Sequence, residues 1–274
     1  MVVRVARSWM IPLIVLVSLV VPYQAAAAKP KKPTTIVALT FDDGDKTHVT
    51  AAGLLAKRGL HGTFYINSAR VGDSEHMTLK QIKKIAAAGN EIGGHTLDHP
   101  HLTMLGPEEL YAEICDDRAQ LMRWGFKIRT FAYPFGELNE SVRFVVRECG
   151  YSAARGIGGL SDRVCKSPAC RYAEPMRPEM VYDIRTPGSV RAETTLGQLK
   201  QQVERAESSG AGLLPLVFHH VCATDCPDAF SVSPAILGQF LDWLAKRAKH
   251  GTVVRTLGEV VGGKVRPAPV DDQR

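Results

Sequence analysis

Apolar runs of strand length alternate with amphipathic stretches from residue 35 almost to the end of the chain. Thr35 to Phe41 is rich in β-branched and apolar residues and predicts a strand. Thr47 to Arg58 follows as a helix that stops at Gly59, and Gly62 to Ile66 predicts the next strand. Thr78 and Gln81 have the spacing of a capping box, ahead of an apolar stripe of Leu79, Ile82 and Ile85. Glu91 to Gly94 predicts a short strand. Pro107 opens a helix, carrying Leu110, Ile114 and Leu121, that ends at Gly125. Ile128 to Tyr133 predicts a strand, Ser141 to Cys149 a helix, and Tyr151 to Ala154 another strand. Residues 156 to 192 hold many Gly, Pro and Arg residues and predict a long irregular loop, with a strand near Val181 to Ile184. Leu196 to Ser208 is helical in pattern. Leu213 to Phe218 is a continuous apolar run, as a parallel strand buried on both faces requires. Ser233 and Pro234 start a helix with Ile236, Leu237, Phe240, Leu241 and Leu244 on it, and Thr252 to Val254 closes the series.

About seven strands alternating with helices predict an α/β fold with a parallel sheet. A distorted or incomplete (β/α) barrel in a single domain is the natural architecture. Its chemistry then belongs at the C-terminal ends of the strands.

The 274 residues, 45% hydrophobic and 23% charged, exclude a disordered or collagen-like chain and leave room for one substantial core. Arg4 and Arg7 precede an apolar run from Ile11 to Val21, and small residues follow to Ala28, so residues 1–28 predict a secretory signal. The run is short for a membrane span, which needs about 20 residues, and no stable membrane insertion is expected. Cleavage after Ala28 would remove two arginines and no acid, lowering the formal charge from +6 to +4. Positive residues are scattered, which gives no nucleic-acid footprint. Residues 29–33 form a basic, Pro-rich leader, 34–264 the domain, and 265–274 a polar tail. The destination is periplasmic or extracellular, and the oligomeric state is left open.

Export permits disulfides. The six cysteines fall into two pairs close in sequence, Cys165 with Cys170 and Cys222 with Cys226, with Cys115 and Cys149 remaining. A cysteine zinc site is the rival arrangement, but no paired C-x-x-C spacing exists.

Three polar groups follow predicted strands. Asp42 and Asp43 end the first, with Gly44 after them. His95 and His99 follow the strand around Ile92, with His101 nearby. His219 and His220 follow Leu213–Phe218. Two acids at the end of an apolar strand need solvent, a partner or a metal, although an Asx turn ahead of the next helix would also use them. Two histidines four apart can converge on one ion. With one aspartate they form an O,N,N set that leaves a coordination position open, as catalytic zinc requires and as non-haem iron also accepts. His219, rather than His220, is the candidate proton donor beside such a site.

These residues resemble a known family. Thr40-Phe41-Asp42-Asp43-Gly44 and His95-Thr96-Leu97-Asp98-His99 are similar to the first two motifs of the polysaccharide deacetylases, carbohydrate esterase family four. Pro134-Phe135-Gly136 is similar to the end of the third motif and Val217-Phe218-His219 to the fifth. The resemblance runs over about residues 34 to 262. It implies a divalent-metal hydrolase, zinc first among the candidates, that removes N- or O-acetyl groups from a glycan by attack of a metal-bound water. It further implies Asp42 as general base, Asp43, His95 and His99 as metal ligands, His219 as general acid, and the backbone N–H of Phe135 as oxyanion donor. Two departures stand out. Ala132 occupies the position where the family usually has an arginine that orients the catalytic aspartate. The fourth motif is not evident, with Asp183 and Arg185 the nearest candidates. A glycan-binding protein on an inactive scaffold and a metal amidase acting on a non-sugar substrate are the alternatives.

Overall fold

The computed structural model describes residues 1–3, 34–161, 171–210 and 212–268. The expected signal, the leader, and Cys165 and Cys170 lie outside the described residues apart from Met1–Val3. Every element below belongs to one compact unit, Lys32–Arg274.

In chain order the strands are β1 (Thr35–Phe41), β2 (Thr63–Ile66), β3 (Glu91–Gly94), β4 (Thr130–Ala132), β5 (Ala153–Gly159), β6 (Ile184–Thr186), β7 (Gly212–Phe218), β8 (His220–Val221), β9 (Ser231–Val232) and β10 (Thr252–Val254). The helices are α1 (His48–Ala56), α2 (Leu79–Ala87), α3 (Pro107–Tyr111), α4 (Asp117–Arg123), α5 (Glu140–Glu148), α6 (Leu196–Ser208), α7 (Pro234–Ala245) and α8 (Leu257–Val261). A π-helical turn, Ala112–Asp116, joins α3 to α4, so the single expected helix is continuous but locally widened.

The strands form a nearly closed parallel barrel in the order β10-β1-β2-β3-β4-β5-β6, with β7 on the other edge of β1. β7 pairs with β1 along its whole length, from Thr35↔Gly212 to Phe41↔Phe218. The opposite edge of β1 is shared: β10 takes its first half and β2 its last two residues. Between β6 and β7 the wall is completed by a loop, in which the Val190 N–H donates to the Val217 carbonyl at 2.9 Å. Burial of Val37, Leu39, Phe41, Phe64, Leu214, Leu216 and Phe218 joins the sheet to the helices around it. The expected capping box at Thr78 and Gln81 is formed, and a second one at Thr195 and Gln198 starts α6.

The sequence reading falls short in the segment after residue 154. β5 continues to Gly159 and pairs with β6, which lies two to three residues beyond the strand expected there. Glycines had marked this stretch as loop. Here they serve the strand: Gly159 has φ 87°, and a Cβ on it would strike the Arg185 side chain. At the other end of the chain, the buried Arg118 guanidinium donates to the carbonyls of Arg266 (2.7 Å) and Pro267 (3.0 Å). Among the described residues no helix is long and apolar enough to cross a membrane.

Candidate active site

The three expected groups meet at one end of the barrel, because β1, β3 and β7 are parallel and all end there. Asp43, His95 and His99 offer ligand atoms that lie within 4.8 Å of one another. The Asp43 Oδ1 is 3.3 Å from the His95 Nε2 and 3.4 Å from the His99 Nε2. Two ligands on one tetrahedral ion, with bonds of about 2.0–2.1 Å, stand roughly this far apart. The Asp43 Oδ1 is buried with no hydrogen-bond partner among the described residues. The His95 Nδ1 donates to the Ala132 carbonyl at 2.7 Å, which fixes the tautomer and turns the Nε2 lone pair toward Asp43. These residues therefore fit a divalent metal.

The loop carrying the histidines is held from below. Asn67 donates to the His95 carbonyl. The Thr96 hydroxyl accepts from the His99 N–H at 2.9 Å, and Glu113, on the π-helical turn, accepts from the Leu97 N–H at 3.0 Å. Asp43, Thr96, His99 and Phe135 all have positive φ, between 57° and 75°. For residues with side chains such backbone is costly, and its concentration around one cavity is what a functional site leads one to expect. Gly94 is required for space: a Cβ there would run into the Tyr151 hydroxyl and Asp117.

Burial by itself raises the Asp43 carboxyl pKa. The imidazoles of His95, His219 and His99 outweigh it and hold the group below the usual carboxylate range. Burial, and then the neighbouring His95, lower the His99 pKa to about 4, which leaves the ring neutral near pH 7.

Asp42 points the other way from its neighbour, into the barrel, and is 1% exposed. Its Oδ1 is paired with the Arg155 guanidinium. Its Oδ2 is buried without a hydrogen bond among the described residues, and lies 4.0 Å from the His219 Nε2. Arg155 lies on β5 and is fully buried, its guanidinium 4.8 Å from the centre of the Tyr65 ring. The sheet register sets Arg155 directly beside Ala132. The sequence reading missed it because the strand was expected to end at Ala154. A lone arginine one residue past a small-residue strand, at the chemical end of a barrel, was the available signal.

His219 and His220 diverge, as adjacent residues in extended chain must. The His219 carbonyl accepts from the His48 Nε2 at 2.8 Å, which ties its backbone to α1. His220 turns to Asp45 (3.0 Å) and Asp228 (3.7 Å). Hydrogen bonding to Asp45 raises the His220 pKa. Phe135 sits half-exposed in the short turn after β4, against the His99 ring at 4.5 Å. Its neighbours Gly136 and Glu137 spend their N–H groups on the Tyr133 and Pro134 carbonyls. His101 stacks on the Phe135 ring at 4.0 Å.

Asp183 and Arg185 do not join this site. Asp183 is 3.6 Å from Arg143, and Arg185 pairs with the buried Glu174 at 2.6 Å. Both take charge partners on the flank of β6, outside the lining of the cavity that holds Asp42 and Asp43. Two of the expected disulfides are present, Cys115–Cys149 and Cys222–Cys226. Asp42, Asp43, His95, His99, Phe135 and His219 line one cavity of about 440 Å³, which Arg191, Asp228 and Phe230 complete.

Residues 29–154 match the family model for polysaccharide deacetylase. A peptidoglycan-N-acetylglucosamine deacetylase of Bacillus cereus is 30% identical over 118 residues, 42% of this chain and 54% of its own length. The peptidoglycan-N-acetylmuramic acid deacetylase PdaC of Bacillus subtilis is 30% identical over 130 residues, 44% of this chain and 27% of its own length. The chain thus spans about half or less of these relatives. Among solved structures, a family 4 acetyl xylan esterase from Clostridium thermocellum superposes with a TM-score of 0.55 at 21% identity, covering 82% of this chain and 90% of that one. The Xyl-CE4 domain of a xylanase from the hindgut metagenome of Trinervitermes trinervoides gives 0.53 at 16% identity, over 84% and 90%. The fold is shared with these solved structures, and the match to the polysaccharide deacetylase family is carried by residues 29–154.

Proposed function

We propose that this protein is an exported, metal-dependent deacetylase that hydrolyses N-acetyl, or O-acetyl, groups of a glycan. The observation that carries the reading is the convergence of Asp43, His95 and His99 on one point beside a buried Asp42 whose second oxygen faces His219. The named activities of the Bacillus relatives support a polymer of acetylated amino sugars as substrate.

Asp43, His95 and His99 would hold the ion, and zinc suits this O,N,N set. A divalent ion there polarises a carbonyl and makes water a stronger acid. Arg155 occupies the Asp42 Oδ1 and leaves Oδ2 to take the proton of the attacking water. The Phe135 N–H, presented by its left-handed backbone, donates to the oxygen that becomes negative as the tetrahedral centre forms. The His219 Nε2 gives a proton to the departing amine or alcohol, and acetate leaves. Base and acid are thus divided between Asp42 and His219.

The disulfides Cys115–Cys149 and Cys222–Cys226 suit the oxidising compartment that a signal over residues 1–28 would lead to. The test is acetate release from acetylated chitooligosaccharides and peptidoglycan fragments, with and without a chelator. Release that stops on chelation and returns with added zinc is expected. Undiminished release after complete metal removal would overturn the reading.

A further inference from the structure

The acid side of the cavity carries a feature that the proposed chemistry does not use. Phe230 lies with its ring 5.3 Å from that of His219. The Arg191 guanidinium lies over the Phe230 ring, 4.1 Å from its centre. The two come from different loops that are stitched together. The Ala192 N–H donates to the Ala229 carbonyl at 2.9 Å, and the His220 N–H to the Phe230 carbonyl at 3.0 Å. The Arg191 N–H is itself held by the Thr194 hydroxyl at 3.0 Å. Arg191 and Phe230 are therefore built in place rather than hanging from a mobile rim.

The charges around them are uneven. Among the described residues, each carboxylate lining the cavity has a cationic or imidazole partner: Asp42 has Arg155, Asp43 has His95 and His99, and Asp228 has His220. No carboxylate among the described residues pairs with Arg191, although the residue lines the same cavity and its guanidinium lies over Phe230, which lines it too. A leaving group that takes a proton from His219 must bring its sugar ring next to His219, and so next to Phe230.

We propose that Arg191 and Phe230 form a subsite for the sugar residue that loses its acetyl group, and that Arg191 selects residues bearing a carboxylate close to the acetamido group. Phe230 supports the apolar face of the pyranose. The guanidinium fork takes the carboxylate in a charge-assisted, bidentate hydrogen bond, which a neutral amide cannot match. This rests on the deacetylase reading and narrows it to an acidic N-acetylamino sugar.

The test compares two probes on the zinc-loaded enzyme: a tetrasaccharide of alternating N-acetylglucosamine and N-acetylmuramic acid, and the same compound with its carboxyls converted to carboxamides. The expected kcat/KM for the acid exceeds that for the carboxamide by about tenfold. Arg191→Gln should bring the ratio close to one, its larger loss falling on the acid. Phe230→Ala should lower both substrates together and keep the ratio. Equal rates on the two probes with the wild-type enzyme, or a ratio unchanged in Arg191→Gln, would overturn the subsite. Absence of acetate release from either probe and from chitotetraose would instead overturn the deacetylase reading on which it stands.

Discussion

Arg155 lies beside Ala132 in the sheet and reaches across the barrel to Asp42. The family resemblance led one to expect an arginine on β4 at position 132, and the chain has alanine there. The small side chain leaves room, and the neighbouring strand delivers a guanidinium at the same level. A buried carboxylate with one oxygen fixed and the other without a hydrogen bond among the described residues suits the base role proposed for Asp42.

Arg155→Met should therefore lower kcat by about 100-fold with little change in KM and with the metal retained, since misplacing a catalytic group costs on that order. The double variant Arg155→Met with Ala132→Arg moves the guanidinium back one strand and should recover at least a tenth of the wild-type rate. Steady-state kinetics with metal analysis checks both. No recovery in a folded double variant would mean that Arg155 does more than orient Asp42.

Glu91 plugs the opposite end of the barrel. It accepts from the Thr63 hydroxyl (2.9 Å), the Thr130 hydroxyl (2.7 Å) and the Gly258 N–H (2.7 Å). Burial outweighs these bonds and raises its pKa. The folded chain then holds this proton more tightly than the unfolded one. The resulting stability is fully present below the unfolded value, about 4.3, and is lost as pH rises through the folded value. Glu91→Gln should flatten the fall in stability that sets in as pH rises above the unfolded value, about 4.3. Urea midpoints along that rise in pH measure it, and an unchanged slope would contradict the assignment.

The two disulfides should differ in kind. Cys115–Cys149 closes a separation of 34 residues, and loop-closure entropy gives it about 3–4 kcal/mol. Its replacement by two alanines should lower the urea midpoint and leave the kcat of the folded enzyme close to wild type. Cys222–Cys226 spans a separation of four and leads into the loop that carries Asp228 and Phe230. Removing it should cost less stability, about 2 kcal/mol by the same relation, and more activity. Equal effects of the two on kcat/KM would contradict this division.

Much of this architecture is legible in the chain because parallel strands buried on both faces read as apolar runs, and β1 and β7 are such runs. The residues that end them, Asp42, Asp43 and His219, are conspicuous for the same reason. Asp43, His95 and His99 could be grouped since they follow strands whose ends must share one rim. Arg155 was hidden by Gly156, Gly158 and Gly159, which look like loop and are strand. Arg191 and Phe230 could not be paired from sequence. Their meeting depends on a backbone bond between two loops, from Ala192 to Ala229, 37 residues apart, and no local period encodes it.

Metal stoichiometry measured alongside activity tests the central claim most directly. Purified protein titrated with zinc after dialysis against chelator should bind one ion per chain and gain acetate release in proportion to occupancy. Asp42→Asn should keep the ion and lose turnover, and His95→Ala should lose both. Full activity in Asp42→Asn, or an ion still bound at wild-type strength when Asp43, His95 and His99 are all alanine, would contradict the account.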